Sequence, residues 1–200
     1  MLVRDAKKIQ GHEWSSQVEI CEGNASNVQD LERALTGVHT AYYLLHSINV
    51  ATDFEDVEAK MAHDFAHTAE KVGVQQIVYL GGIANDENRS RHLLSRMNTG
   101  IELASTSVPV LELRAGIIIG SGSASFEMLR HLTHRLPIMT TPKWVSNRTQ
   151  PIAIRDVLYY LRNVANLKEP QNRVCDIGGP EVMSYADMMQ KFANIAGLPK

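Results

Sequence analysis

Residues 41–80 read AYYLLHSINVATDFEDVEAKMAHDFAHTAEKVGVQQIVYL. Ala41 to Leu45 is unbroken in its apolar character, the pattern of a strand buried on both faces. From Phe54 the pattern changes: Phe54, Val57, Met61, Phe65 and Ala69 recur at helical spacing, and Gly73 marks the stop. Gln76-Ile-Val-Tyr-Leu80 then gives a second apolar strand. Strand, amphipathic helix and strand in that order make a parallel pair joined by a crossover helix, and so an α/β fold.

The same alternation continues outward in both directions. Upstream, Gln17 to Glu22 alternates in polarity like an edge strand, and Ser26 with Gln29 offers a capping box for a helix carrying Leu31 and Leu35. Downstream, a helix from about Arg91 to Ala104 leads to the strand Val108 to Arg114, with Pro109 tolerated because it lies near the strand's start. After Ile119 the chain turns through Ser121-Gly-Ser-Ala-Ser125, forms a helix to about Leu136 and enters a polar loop from Trp144 to Gln150, which reads as a small second lobe. The sheet pattern returns at Arg173-Val-Cys-Asp-Ile-Gly-Gly179, and Ser184 with Asp187 caps a final helix.

Composition narrows the function. The 200 residues are 44% hydrophobic and 21% charged, enough apolar material for one globular core. A formal net charge of -2, with both signs interleaved, offers no basic stripe for a phosphate backbone and argues against nucleic acid as a partner. No apolar run approaches the ~20 residues that span a bilayer, so a soluble, cytoplasmic protein is expected. Cys21 and Cys175 each lie in a strand-like stretch without a partner at metal spacing and read as buried free thiols.

Several stretches in succession carry a resemblance: VRDAKKI, VEICEGNASNVQDLERALTGVHTAYYLLHS, VQQIVYLGGI, LRAGIIIGSGSASFEMLRHL, QPIAIRDVLYYL and CDIGGPEVMSYADMM. Together they resemble the atypical short-chain dehydrogenase/reductases of the NmrA-like, NAD(P)-binding kind, over essentially the whole chain. The resemblance implies a doubly wound Rossmann-like parallel sheet, an NADP or NAD cofactor with NADP favoured, and an oxidoreductase acting on a small substrate. It implies one domain over 1–200, in which 1–118 is a partial dinucleotide-binding core and 119–200 a small substrate lobe with a returning strand near 173–177. In that family a strand, a G-x-x-G-x-x-G turn and a helix precede the strand that ends in Val-Arg-Asp. No such turn occurs in these 200 residues, so a chain truncated at its N-terminus, lacking the central strand and the phosphate cradle, is expected. A non-catalytic dinucleotide sensor and an inactive fragment are the alternatives.

Site residues follow from the resemblance position by position. Arg4 ends the family's second strand, where a guanidinium meets the adenosine 2′-phosphate. Asn24 stands where relatives carry an aspartate against the adenine. His46 and Ser47 close the fourth strand, Gly81 and Gly82 the fifth, and Ala115, Gly116 and Ile117 follow the sixth, all at the carboxyl edge where open α/β sheets bind ligands. The superfamily's Tyr-x-x-x-Lys corresponds here to His92-Leu-Leu-Ser-Arg96, which puts His92 in the proton-transfer position and Arg96 in the ribose-holding position. The residues themselves leave plainer roles open: Arg4 as a surface arginine, Asn24 as a turn residue, His46 as a structural group, and the glycine pair as a tight turn. His63 and His67 have a spacing compatible with a metal but no third ligand evident, and read as a solvated helix face, as do His131 and His134. No metal is expected, and the oligomeric state is open.

Overall fold

The computed structural model describes residues 1–45, 54–83, 91–135, 143–165, 167 and 169–198. In chain order its elements are β1 (Leu2–Val3), β2 (Cys21–Glu22), α1 (Val28–Leu35), β3 (Thr40–Tyr43), α2 (Phe54–Lys71), β4 (Gln76–Gly82), α3 (Arg91–Leu103) and β5 (Val110–Ala115). They continue as β6 (Ile118–Ile119), α4 (Ala124–Arg135), β7 (Arg148–Thr149), β8 (Ile152–Ala153), α5 (Ile154–Val164), β9 (Arg173–Ile177), β10 (Met183–Ser184) and α6 (Tyr185–Ala196). This is the α/β order expected, and the opening stretch forms the β3-α2-β4 unit, its strands parallel with Ala41 opposite Ile77.

Two compact units divide the chain: Met1–Leu113 with Val164–Cys175, and Arg114–Asn163 with Asp176–Lys200. The core of the first unit joins Leu31 and Leu35 of α1, Phe65, Ala66 and Ala69 of α2, Ala41, Tyr43, Ile77 and Tyr79 of the strands, and Leu103 of α3. Fully burying an Ile or Leu side chain contributes roughly 1.5–3 kcal/mol. The alternation in β4 explains the packing, because Ile77 and Tyr79 point to the helices α2 and α3 while the residues between them point away. The sheet is not continuous: β3-β4-β5-β9 form one ladder and β1-β2 another, and no ladder joins β1 to β3 among the described residues. Leu2 nevertheless packs on the same core as Ala41.

Three local readings are corrected. Residues Glu13–Gln17 form a 3-10 helix, and the extended segment before α1 contracts to Cys21–Glu22. The cap of α1 is Asn27, not Ser26: the Asn27 side chain accepts from the N–H groups of Gln29 and Asp30 at 2.9 and 3.1 Å. Asparagine serves because its short carbonyl reaches two orphan donors of the first turn. Cys21 and Cys175 are free but only half-buried. Their strands are short or exposed, so neither thiol is enclosed.

The second unit has its own core of Ile117, Leu129 and Met188, with Ile119, Met183, Tyr185 and Phe192 packed against it. Its α6 begins with the expected reciprocal capping box of Ser184 and Asp187 and ends at Gly197 in the left-handed region, φ 66°. Backbone and hydroxyl hydrogen bonds from Ser184 hold the Asp187 carboxyl below the usual carboxylate range. Ser123 stands before α4, its hydroxyl donating to the Ile118 carbonyl at 2.6 Å, so the Ser-Gly-Ser stretch is a turn. No described helix is long and apolar enough to cross a membrane.

Candidate functional site

The carboxyl edge of β1 and β2 carries the first group of residues. The strands are parallel with Val3 opposite Glu22, and the N–H of Gly23 donates to the Val3 carbonyl at 2.8 Å. Arg4 and the pair Gly23-Asn24 therefore leave the sheet side by side. Arg4 is exposed, and Asp5 caps the turn Ala6–Lys8 behind it, accepting from the Lys7 N–H at 3.0 Å. Lys7 and Lys8, both exposed, follow in that turn.

The turn after β2 is organised by Asp30. Its carboxylate accepts the Asn24 N–H at 2.8 Å and pairs with Arg33 at 2.8 Å. The Asn24 bond, reinforced by Arg33, lowers the Asp30 pKa. Gly23 is needed for this arrangement, since a Cβ there would lie 2.7 Å from the Asp30 carboxyl carbon. The Asn24 side-chain oxygen accepts from the Ser26 N–H at 3.1 Å, which leaves the NH₂ as the donor end of the side chain.

At the end of β4 the structure brings Gly81, Gly82 and Arg96 together. Arg96, on α3, donates from Nη2 to the Leu80 carbonyl, and its guanidinium lies 5.7 Å from the centre of the Tyr79 ring. Tyr79 returns a hydrogen bond from its hydroxyl to the Arg96 carbonyl at 3.0 Å. A Cβ on Gly82 would make ordinary contact with Arg96 at 3.5 Å. Gly81 has a different reason for its lack of a side chain: a Cβ there would lie 2.6 Å from Oε1 of Glu112.

Sequence reasoning missed the buried polar cluster behind this edge. Glu58 of α2, Ser95 and Thr99 of α3, and Glu112 of β5 are all buried, and the Ser95 hydroxyl donates to Glu58. The available signal was a single glutamate inside the apolar strand Val-Leu-Glu-Leu, with glycines at 81 and 100 to receive it. Tyr43 and Tyr79 pack edge to face beside this cluster, ring centres 6.1 Å apart. Burial first, and then neighbouring acidic groups, raises the pKa of Tyr43; burial is also the largest cause of the rise at Tyr79, opposed by Arg96.

A pH dependence follows. A folded pKa above the unfolded value near 10 stabilises the fold fully below pH 10, and this contribution is lost as pH rises toward the folded pKa. The slope is at most about 1.4 kcal/mol per pH unit for each tyrosine. Tyr43→Phe should flatten the fall in stability between pH 9 and 11, measured by urea denaturation. An unchanged slope would show that Tyr43 ionises freely in the folded protein.

The remaining expected site residues are distributed unevenly. Ala115 and Ile117 are buried, and Gly116 lies against the 149–150 segment: a Cβ on it would meet Oγ1 of Thr149 at 2.9 Å and the Gln150 carbonyl at 3.0 Å. The Ile117 carbonyl is taken by the Ile152 N–H at 2.9 Å. Residues His46 and Ser47 lie outside the described residues. His92 sits in the first turn of α3, and its side chain lies outside them too. Among the described residues, no group of three or more His, Cys, Asp or Glu side chains is placed to hold a metal ion.

Comparison with known proteins bears on the fold and the family. No curated protein matches the chain significantly. A nucleoside-diphosphate-sugar epimerase from Staphylococcus aureus superposes with a TM-score of 0.78 at 14% identity, over 98% of this chain and 67% of that one. The triphenylmethane reductase of Citrobacter sp., solved with NADP(H), gives 0.77 at 16% identity, over 99% of this chain and 66% of that one. The Bordetella bronchiseptica enzyme WbmG, solved with NAD and UDP, gives 0.73 at 15%, over 90% and 64%. The chain thus spans about two thirds of the length of these structures. These superpositions show the Rossmann-like fold, as expected from the sequence. The profile of a family described as NAD(P)H-binding matches residues 1–105, just over half of the chain, and the chain belongs to that NAD(P)H-binding family.

Proposed function

We propose that this chain serves an oxidoreductase of the atypical short-chain type that takes NADP in preference to NAD and acts on a small substrate. The observation that carries the reading is the exposed Arg4, side by side with Gly23-Asn24 at the carboxyl edge, in a chain of the NAD(P)H-binding family. These residues fit the adenosine end of such a cofactor. Arg4 offers a fork of donors to a 2′-phosphate, and the free NH₂ of Asn24 reaches a ring nitrogen of the adenine. Gly82 admits close approach at the end of β4, and Arg96 beside it holds ribose hydroxyls. By the family's order His46, Ser47, Ala115, Gly116 and Ile117 are further cofactor contacts, and His92 is the group that moves a proton at the substrate oxygen. The cofactor, when bound, supplies or accepts hydride. No stretch with the spacing G-x-x-G-x-x-G is present to cradle the pyrophosphate, so affinity of these 200 residues is weak, on the order of 0.1 mM or poorer.

A specific observation favours a second reading, a non-catalytic dinucleotide sensor. Arg96 is committed to the Leu80 carbonyl and the Tyr79 ring, and Gly81 and Gly82 beside it supply no side-chain hydroxyl. Incubation with NADPH and a panel of quinones, enones and carbonyls separates the two. A reductase consumes NADPH with at least one acceptor; a sensor binds it, seen by amide shifts in a titration, and leaves it intact. Absence of shifts at 10 mM NADPH would sink both readings.

A further inference from the structure

Helices α2 and α3 pack side by side, and on their solvent side the fold assembles a group that sequence spacing alone left incomplete. His63 and His67 stand one turn apart on α2, both exposed, with ring centres 4.1 Å apart and planes inclined at 47°. Glu102 reaches across from α3, its Oε2 3.1 Å from Nδ1 of His63. A carboxylate can only accept, so Nδ1 is the donor in this contact, and a neutral His63 ring then carries its lone pair on Nε2. That is the arrangement by which an outer carboxylate orients a metal-binding imidazole. Glu70, one turn beyond His67, is already occupied: one of its oxygens accepts from both the N–H and the hydroxyl of Ser107, at 2.9 and 2.7 Å.

We propose that His63 and His67 form a two-nitrogen chelate for a divalent transition ion that favours imidazole, with Glu102 as the positioning residue and water completing the shell. A helix fixes ligands at i and i+4 on one face, so both rings meet one ion without ordering any new backbone. Two ligands make an open site, in keeping with the absence of a converging third side chain among the described residues. Zn²⁺, Ni²⁺ and Cu²⁺ fit this donor set, Cu²⁺ most tightly; Mg²⁺ and Ca²⁺, which demand oxygen ligands, do not. Neither histidine belongs to the cofactor edge, so the proposal stands apart from the function proposed above.

Titration of the 200-residue chain with ZnCl₂ and NiCl₂, read by competition with a metal indicator, tests it. One ion per chain is expected, with a Kd on the order of 10 µM for two imidazoles in a partly aqueous shell. His63→Gln and His67→Gln should each weaken binding by about 30-fold or more, since either leaves a single nitrogen. Glu102→Ala should weaken it by about 10-fold, the usual scale for an outer partner, with an unchanged helical signal in circular dichroism. The pair His131→Gln with His134→Gln, on α4, should leave the affinity as it was. No saturable binding below 1 mM, or binding that survives His67→Gln, overturns the chelate. An unchanged affinity in Glu102→Ala overturns the role given to the carboxylate.

Discussion

Gly100→Ala is expected to destabilise this protein by about 2 kcal/mol, within the 1–3 kcal/mol typical of overpacking a core. The usual sign is opposite, because alanine is favoured over glycine in a helix interior by roughly 0.8–1 kcal/mol. The reversal comes from Glu112. A Cβ on Gly100 would lie 2.7 Å from Oε2 of that buried carboxylate, and one on Gly81 would lie 2.6 Å from its Oε1. A glutamate terminus ordinarily swings aside, but here a retreat from α3 drives it into the backbone of β4. The carboxylate is a spacer held from both sides, and α3 carries Arg96 one turn before the point of contact. Urea denaturation of the wild type, Gly100→Ala, Glu112→Ala and the double variant gives the coupling. With Glu112 shortened, Gly100→Ala should recover its normal stabilising sign. Stabilisation by Gly100→Ala in the wild-type background would mean that the carboxylate moves freely.

Long-range order was legible where the pattern was repetitive. Residues 41–80 specify strand, helix and strand through apolar spacing alone, and the elements β3, α2 and β4 follow that reading within a few residues. The capping box of Ser184 and Asp187 was legible because its chemistry is local to four residues. The start of α1 was not, because Ser26 and Asn27 are both good caps and the choice between them was made by Asp30. That carboxylate is engaged by the Asn24 N–H and Arg33, which fixes the turn one residue further on. Site residues named from the family's order needed a partner to become meaningful. Gly81 reads as a ligand-facing glycine from its place at a strand end, and the structure adds a packing task against Glu112, 31 positions away in sequence. Periodicity carries no information about which buried polar groups meet. The group of Glu58, Tyr79, Ser95 and Glu112 is assembled by tertiary packing from four elements.

Arg4→Ala should weaken binding of 2′-phosphorylated adenosine ligands by about 10- to 150-fold, equivalent to the 1.5–3 kcal/mol of a charge-assisted hydrogen bond, and leave NAD and 5′-AMP nearly unaffected. Besides the Asp30–Arg33 ion pair, the edge around it contains three cations, Arg4, Lys7 and Lys8, against two carboxylates, Asp5 and Glu22. Both carboxylates are turned to the backbone: Asp5 accepts from the Lys7 N–H at 3.0 Å, and Glu22 lies 3.4 Å from the Ala6 N–H. They leave the guanidinium exposed at the end of β1 and uncommitted to either among the described residues. A 2′-phosphate carries close to two negative charges and suits a planar fork better than an ammonium, so Lys8→Ala should cost much less than Arg4→Ala. Because the contact is exposed, its advantage should shrink between 0.05 and 0.5 M salt, as the screening length contracts. Titration with 2′,5′-ADP and 5′-AMP, followed by amide shifts, reads the ratio directly even where absolute affinity is low. Equal losses for both ligands would assign Arg4 to the structure of the β1 edge and remove the basis for preferring NADP. A loss confined to 2′,5′-ADP, and eroded by salt, would tie cofactor choice to one side chain placed by the parallel register of Val3 with Glu22.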